Sequence, residues 1–203
     1  SGDLIYQFDE NGQVLDNSFL GYPDEFKNIE GSLKPIDYLV YSAYKDSYLF
    51  SFPYSKKILR FDGNNFGKLI EEIPLPKSRY FDYNLIGTDQ IISFQDMFNS
   101  GEGTNTIIPS NHYFKTIVEN EGQIIIATWM NQREDPPNSE TLSNLLVFDK
   151  DTKKWYETSN PRNILDIGML AGILRDTLYF YEGSLMKHDE KYIKRAVLKP
   201  IEE

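Results

Sequence analysis

Two histidines, His112 and His188, are the only imidazoles in the chain, and cysteine is absent. A three-histidine metal site is therefore unavailable. Zinc sites, nucleophiles and iron–sulfur or redox centres built on cysteine are excluded as well. His188 stands at a strand corner where sister segments carry Phe, which gives it a structural place. His112, in Pro109-Ser110-Asn111-His112-Tyr113, ends a long loop and is placed to reach a ligand. Asp9-x-Asn11-Gly12 and Asp149-x-Asp151 share fragments with calcium loops but lack the alternating oxygens and the closing Glu, so hairpin turns account for them better. Gly101-Glu102-Gly103 lacks the Lys of a phosphate loop, and no G-x-S-x-G elbow is present. With 31 acidic residues among 203, no carboxylate pair singles itself out for acid/base work. No cofactor is implied.

Binding chemistry is easier to locate. Residues 96–112 and 130–143 read as long loops, and both follow the second strand of the same kind of hairpin. Loops of that length are uncommon in compact domains and often functional. Trp129-Met130-Asn131-Gln132-Arg133 sets an aromatic plate beside amide and guanidinium donors, a mixture suited to glycan or peptide surfaces. Tyr54, after Pro53, leaves the matching strand of another hairpin and joins the same rim. Arg79 and Asp82 lead into a further first strand, where they offer a site in a central channel or are, more plainly, a structural ion pair or separate solvated residues. The plain alternative for the long loops is that they cover sheet edges.

These residues must be held by strands, because helical periodicity is almost absent. One hairpin recurs as an apolar and aromatic run, a short polar turn and a second such run, at 37–52, 83–94, 114–129 and 170–181. A second unit ends its first strand with an aromatic residue and Asp, then turns into a more polar strand. Its copies are Tyr6-Gln7-Phe8-Asp9, Leu59-Arg60-Phe61-Asp62, Leu146-Val147-Phe148-Asp149 and Met186-Lys187-His188-Asp189. An Asp there accepts hydrogen bonds from the N–H groups of its own turn, and the Asn and Gly that follow tolerate positive φ.

One hairpin of each kind makes a four-stranded antiparallel meander of about 35–50 residues, the period of a β-propeller blade. In Gln123–Trp129, Ile124, Ile126 and Thr128 oppose Ile125, Ala127 and Trp129, so this strand expects cover on both faces. The fold expected over 1–203 is thus an all-β single domain, a propeller of about four blades, with a β-sandwich as the alternative. The Asp corners fall at 9, 62, 149 and 189, at intervals of 53, 87 and 40. The spacing leaves either a degenerate blade or an inserted loop around 97–112. The chain reads either as the C-terminal part of a larger propeller or as a small ring closed by its first and last strands.

Charge bears on partners. Lys and Arg number 21 against 31 Asp and Glu, for a net charge of −10, which disfavours nucleic acid. No apolar run approaches the ~18–20 residues that span a membrane. Residues 1–30 hold seven acids and one Lys, whereas 187–199 hold four Lys and one Arg against two acids. That asymmetry favours juxtaposition of the two ends, though exposed pairs are worth only ~0–1 kcal/mol each.

The paired strands with Phe-Asp corners, as in Leu49-Phe50-Ser51-Phe52-Pro53-Tyr54-Ser55-Lys56-Lys57-Ile58-Leu59-Arg60-Phe61-Asp62, resemble six-bladed TolB-like or NHL-like propellers, closest to uncharacterised lipoprotein-type members from Bacteroidota. The resemblance implies a periplasmic or cell-surface location and a binding or scaffolding role, and supplies no catalytic motif. The leading expectation is a non-catalytic propeller that recognises a protein or glycan through Trp129, Arg133, His112 and Tyr54. The alternative is a propeller hydrolase, lactonase or lyase with a divalent ion in its channel. A third reading is a structural part of a larger assembly, associating with the rest of a propeller.

Overall fold

Apolar–polar alternation broken by turns that carry Asp, Asn and Gly dictates hairpins. The computed structural model describes residues 3–21, 39–52, 55–78, 112–131, 141–182 and 192–199. Strands β1 (Ile5–Phe8) and β2 (Val14–Phe19) form sheet I. Sheet II is the meander β3 (Val40–Tyr44), β4 (Ser47–Ser51), β5 (Lys57–Asp62) and β6 (Leu69–Pro74). Sheet III repeats it with β7 (His112–Glu119), β8 (Gln123–Asn131), β9 (Thr141–Asp149) and β10 (Lys154–Glu157). The short β11 (Arg162–Asn163) pairs farther along β9, and one helical turn, α1 (Ile164–Ile167), leads out of the sheet. Sheet IV consists of β12 (Met169–Leu174), β13 (Thr177–Tyr181) and β14 (Ile193–Val197). All these pairings are antiparallel.

The Asp corners behave as their sequence predicts. Asp9 Oδ1 accepts from the amides of Asn11 (2.9 Å) and Gln13 (2.8 Å). Asp62 Oδ1 accepts from Asn64 N at 2.9 Å, and Asp149 Oδ1 from Asp151 N (3.0 Å) and Thr152 N (2.7 Å). Gly12 supplies the left-handed residue of the first corner, with φ of 78°. The fourth corner, at Asp189, and the hairpin expected at 83–94 lie outside the described residues.

Packing orders the sheets as layers. On one face of sheet III, Ile117, Ile124, Ile126, Leu146 and Phe148 meet Val40, Leu49, Ile58 and Ile73 of sheet II in one buried cluster. On its other face, Val118, Ile125, Ala127, Leu145 and Val147 meet Leu170, Leu178 and Phe180 of sheet IV. Sheet III is therefore covered on both sides, which explains why β8 is apolar at every position from Ile124 to Ala127. Sheet I packs on the far face of sheet II through Phe19, whose ring lies 4.6 Å from that of Phe61, 4.9 Å from Phe66 and 6.0 Å from Phe50. The four sheets stack face to face in chain order, and the central strands carry the core.

Two loop boundaries differ from the sequence reading. The register of β8 with β9 runs through Asn131 opposite Thr141, so 130–131 and 141–143, expected within a loop over 130–143, belong to strands, and 132–140 lie outside the described residues. His112, expected to end a loop, is the first residue of β7, opposite Met130. Ladder hydrogen bonds extend both strands past their apolar cores into polar sequence.

Truncation should report the layers unequally. Ile126→Ala, at a fully buried site between sheets II and III, is expected to cost about 2–5 kcal/mol of global stability in denaturant titration. Phe19→Ala should speed amide exchange in β1 and β2 and leave β8 protected. Equal effects of the two would contradict the stacking order.

Candidate functional site

The first hairpins of sheets II, III and IV place their turns side by side. The Lys45 ammonium donates to Glu121 Oε1 at 3.4 Å, and Asn120 Nδ2 donates to the Arg175 carbonyl at 2.7 Å. The Glu121 bond holds Lys45 above its ordinary pKa. The first strands follow the same row, with β3 beside β7 and β7 beside β12. Each hairpin runs away from its turn, so β4, β8 and β13 all finish at the opposite end. The described strands end there at Ser51, Asn131 and Tyr181.

At that loop end the buried surface changes character. Thr128 and Asn144 are 0% and 1% exposed, one step beyond the Ile126–Leu146 pair on the same face. Thr128 Oγ1 donates to the Asn144 carbonyl at 3.4 Å, and Thr158 Oγ1 donates to Asn144 Oδ1 at 2.5 Å. The Thr158 hydroxyl in turn accepts from Leu145 N at 3.1 Å. In sheet II the buried hydroxyls of Ser51 and Ser55 both donate to the Lys57 carbonyl, at 2.9 and 3.0 Å. A buried polar layer, hydrogen-bonded except at Asn144 Nδ2, thus lies at the ends of these strands. Each side chain that holds it adds a fixed constraint on the strand ends.

Trp129 is half-buried on the side of β8 that faces sheet IV, in register with Tyr113 of β7 and Ser143 of β9. His112 occupies the next register position, opposite Met130. Two of the residues chosen from sequence therefore come to one corner of the loop end. Arg133, Tyr54, Arg79 and Asp82 lie outside the described residues. Sequence reasoning passed over Thr128, Asn144, Ser51 and Ser55. Their signal is a break from Ile and Leu to Ser, Thr and Asn at the strand ends, at Ala127-Thr128-Trp129 and Ser143-Asn144-Leu145.

The turn end carries charge. Glu119, the last residue of β7, has a fully buried side chain at the junction of sheets II and III. Its Oε1 accepts from Arg60 Nη1 at 2.9 Å and pairs with the Lys150 ammonium at 2.6 Å. Arg60 also donates to Ser47 Oγ (3.0 Å) and to Glu71 Oε2 (3.2 Å), and Lys153 reaches Glu71 from sheet III at 3.3 Å. This network fastens β5 and β6 to β7 and to the β9–β10 turn. Desolvation taxes a buried pair heavily, so its net contribution to stability is small, yet removing one partner is costly. Among the described residues, no three His, Asp or Glu side chains gather into a metal-binding group. No described helix is long and apolar enough to cross a membrane. No family model, curated protein or solved structure matches the chain.

Two outcomes are expected. Glu119→Gln should destabilise the fold by about 3 kcal/mol in chemical denaturation, because it leaves the Lys150 charge poorly compensated in a buried place; a change below the error of measurement would contradict the lock. Backbone amides hold the Asp9 and Asp149 carboxyls below their ordinary pKa, the amide of Gln13 foremost for Asp9 and that of Thr152 for Asp149. Their contribution is complete above the unfolded value near pH 4 and is lost as pH falls through the lower folded values. The double variant Asp9→Asn, Asp149→Asn should therefore flatten the acid limb of stability against pH, and an unchanged limb would count against these turns.

Proposed function

We propose that the sheets are blades of a β-propeller and that the chain is a non-catalytic binding or scaffold module. In this reading the loop end recognises a protein or a glycan. The observation that carries the architecture is the row of first strands, β3, β7 and β12, with their turns joined by Lys45–Glu121 and Asn120–Arg175. Consecutive meanders that stack face to face, with equivalent strands side by side, are what radial repetition produces. A two-layer sandwich would leave one face of each sheet to solvent, and sheet III has no such face. The resemblance to TolB-like and NHL-like propellers agrees with this architecture and adds a periplasmic or cell-surface location to the proposal.

The binding assignment is supported by Trp129 at the strand end, beside the start of β7 at His112 and on the opposite face of β8 from Thr128 and Asn144. Arg133, four residues beyond Trp129 in sequence, is the guanidinium assigned as a charge-assisted donor in this reading. An aromatic plate with donors nearby suits the apolar face and hydroxyl edge of a sugar ring, or a peptide side chain.

Glycan and peptide arrays probed with the purified chain provide the test. Any ligand retained by the wild type should bind at least tenfold more weakly to Trp129→Ala and to Arg133→Ala, with the melting temperature of Arg133→Ala unchanged. A ligand bound equally by all three proteins, or no retained ligand on either array, would overturn the loop-end reading.

A further inference from the structure

The corner Asp9-Glu10-Asn11-Gly12 holds the one Asn-Gly pair in the chain. Glycine carries no side chain to shield its amide nitrogen or to restrict rotation about the preceding peptide, so that nitrogen can reach the asparagine side-chain carbonyl. Other asparagines precede bulkier residues, such as Leu145 after Asn144 and Ile164 after Asn163. Asn11 and Gly12 are exposed, and a Cβ on Gly12 would meet nothing within 4 Å, so no neighbouring segment hinders rearrangement at this tip.

The fold restrains the pair through Asp9. Gly12 N donates to the Asp9 carbonyl at 3.0 Å, and Asp9 N donates to the Gln13 carbonyl at 2.9 Å. Asp9 Oδ1 accepts from Asn11 N and Gln13 N, the amides on either side of Gly12. With Asn11 outside the left-handed region, the Gly12–Asp9 bond closes a type I turn, whose third residue lies at ψ of about 0°. Ring closure must instead eclipse Gly12 N with the Asn11 Cβ, a rotation that breaks this bond. An amide that donates to a carbonyl beside a carboxylate also gives up its proton less readily, because the anion left behind faces negative charge.

We propose that Asn11 is a site of spontaneous covalent modification, converted through a cyclic imide to isoaspartate and aspartate, and that Asp9 is the positioning residue that slows it in the folded chain. The Gly12 nitrogen loses its proton to solvent base and bonds to Asn11 Cγ. The Cγ–Nδ2 bond then breaks, and Nδ2 leaves as ammonia with a proton from solvent. Water opens the five-membered imide at either carbonyl. Opening at the Asn11 main-chain carbonyl leaves the chain running through Cγ, as isoaspartate, and opening at Cγ leaves aspartate. Water is the only co-reactant, and nothing is oxidised or reduced.

Both products act on sheet I. Isoaspartate lengthens the turn backbone by one atom, so the Asp9–Gln13 bond and the Phe8–Val14 register are no longer kept together. Aspartate sets a further carboxylate beside those of Asp9 and Glu10. Among the described residues β1 and β2 pair with each other alone, and a two-stranded hairpin depends on its packing, here Phe19 against Phe50, Phe61 and Phe66. Modification therefore loosens sheet I from sheet II and leaves the buried faces of sheet III covered. The chemistry is independent of what the loop end binds.

Peptide mapping by mass spectrometry, on the purified chain held at mildly alkaline pH and sampled over time, tests the proposal. Fragmentation that separates isoaspartate from aspartate reads the product. The expected result is conversion at Asn11 with a gain of one mass unit, at least tenfold slower in the native chain than in the same chain unfolded in urea. Asp9→Ala removes the acceptor for Asn11 N and Gln13 N and should bring the native rate close to the unfolded one. Asp9→Asn keeps an Oδ1 acceptor and should restore most of the slowing. Hydrogen exchange on the same samples should show β8 protected throughout, with faster exchange in β1 and β2 once Asn11 has converted. No conversion in the native chain, equal native and unfolded rates, or an Asp9→Ala rate no faster than wild type would each overturn the proposal. So would β1 and β2 exchange unchanged by conversion. Fast-exchanging β8 amides in Asp9→Ala would mark loss of the whole stack and overturn the role given to Asp9 in the turn.

Discussion

A strand that is apolar on both faces cannot rest on a surface; it needs a layer on each side. Strand β8 imposes that requirement here. Ile124 and Ile126 are buried against sheet II, Ile125 and Ala127 against sheet IV, all within 1% of full burial. Everything else in the architecture follows from covering β8 twice. Two flanking sheets must arrive in opposite directions from sheet III, and chain order brings one from the preceding residues and one from the following.

Apolar layers alone slide, and the polar contacts fix their relative placement. Glu119 binds cations from two layers at one end, and Trp155 Nε1 donates to the Pro74 carbonyl at 3.0 Å near the outer strands. Lys194 donates to the Asp166 carbonyl and ties sheet IV to the helical turn that follows sheet III. Gly168 ends that turn with φ of 84°, and a Cβ there would lie 2.4 Å from the Tyr181 carbonyl oxygen. The close approach of β12 to the end of β13 therefore depends on glycine. These constraints act at the rims, while the core between them is generic in chemistry and specific only in shape.

Much of this was legible in the sequence because its signals are local. The alternation in Tyr6-Gln7-Phe8-Asp9, the Asp corners at 9, 62 and 149, and the double-faced run Ile124–Ala127 each depend on a few neighbouring residues, and each has the structure that its pattern demands. Strand ends were less legible. Met130, Asn131 and Thr141–Ser143 are polar or loop-like in isolation, yet ladder pairing draws them into β8 and β9. Least legible was what needs two distant segments at once. Glu119 is one acid among many until Arg60, 59 residues earlier, and Lys150 converge on it. The candidate site divides the same way: Trp129 announced itself by type, whereas Asn144 is marked only by the burial that sheet II imposes.

The account stands or falls on whether sheet III is covered from both sides. Native-state hydrogen exchange of the β8 amides, in the wild type and in the single variants Leu49→Ala of sheet II and Leu178→Ala of sheet IV, measures this directly. Both removed side chains are buried against sheet III, from opposite faces. The account predicts that each variant lowers the protection of Ile124–Thr128, by about 2–5 kcal/mol of opening free energy. Protection that falls in one variant and holds in the other would mean that β8 has one covered face, and would contradict the stack.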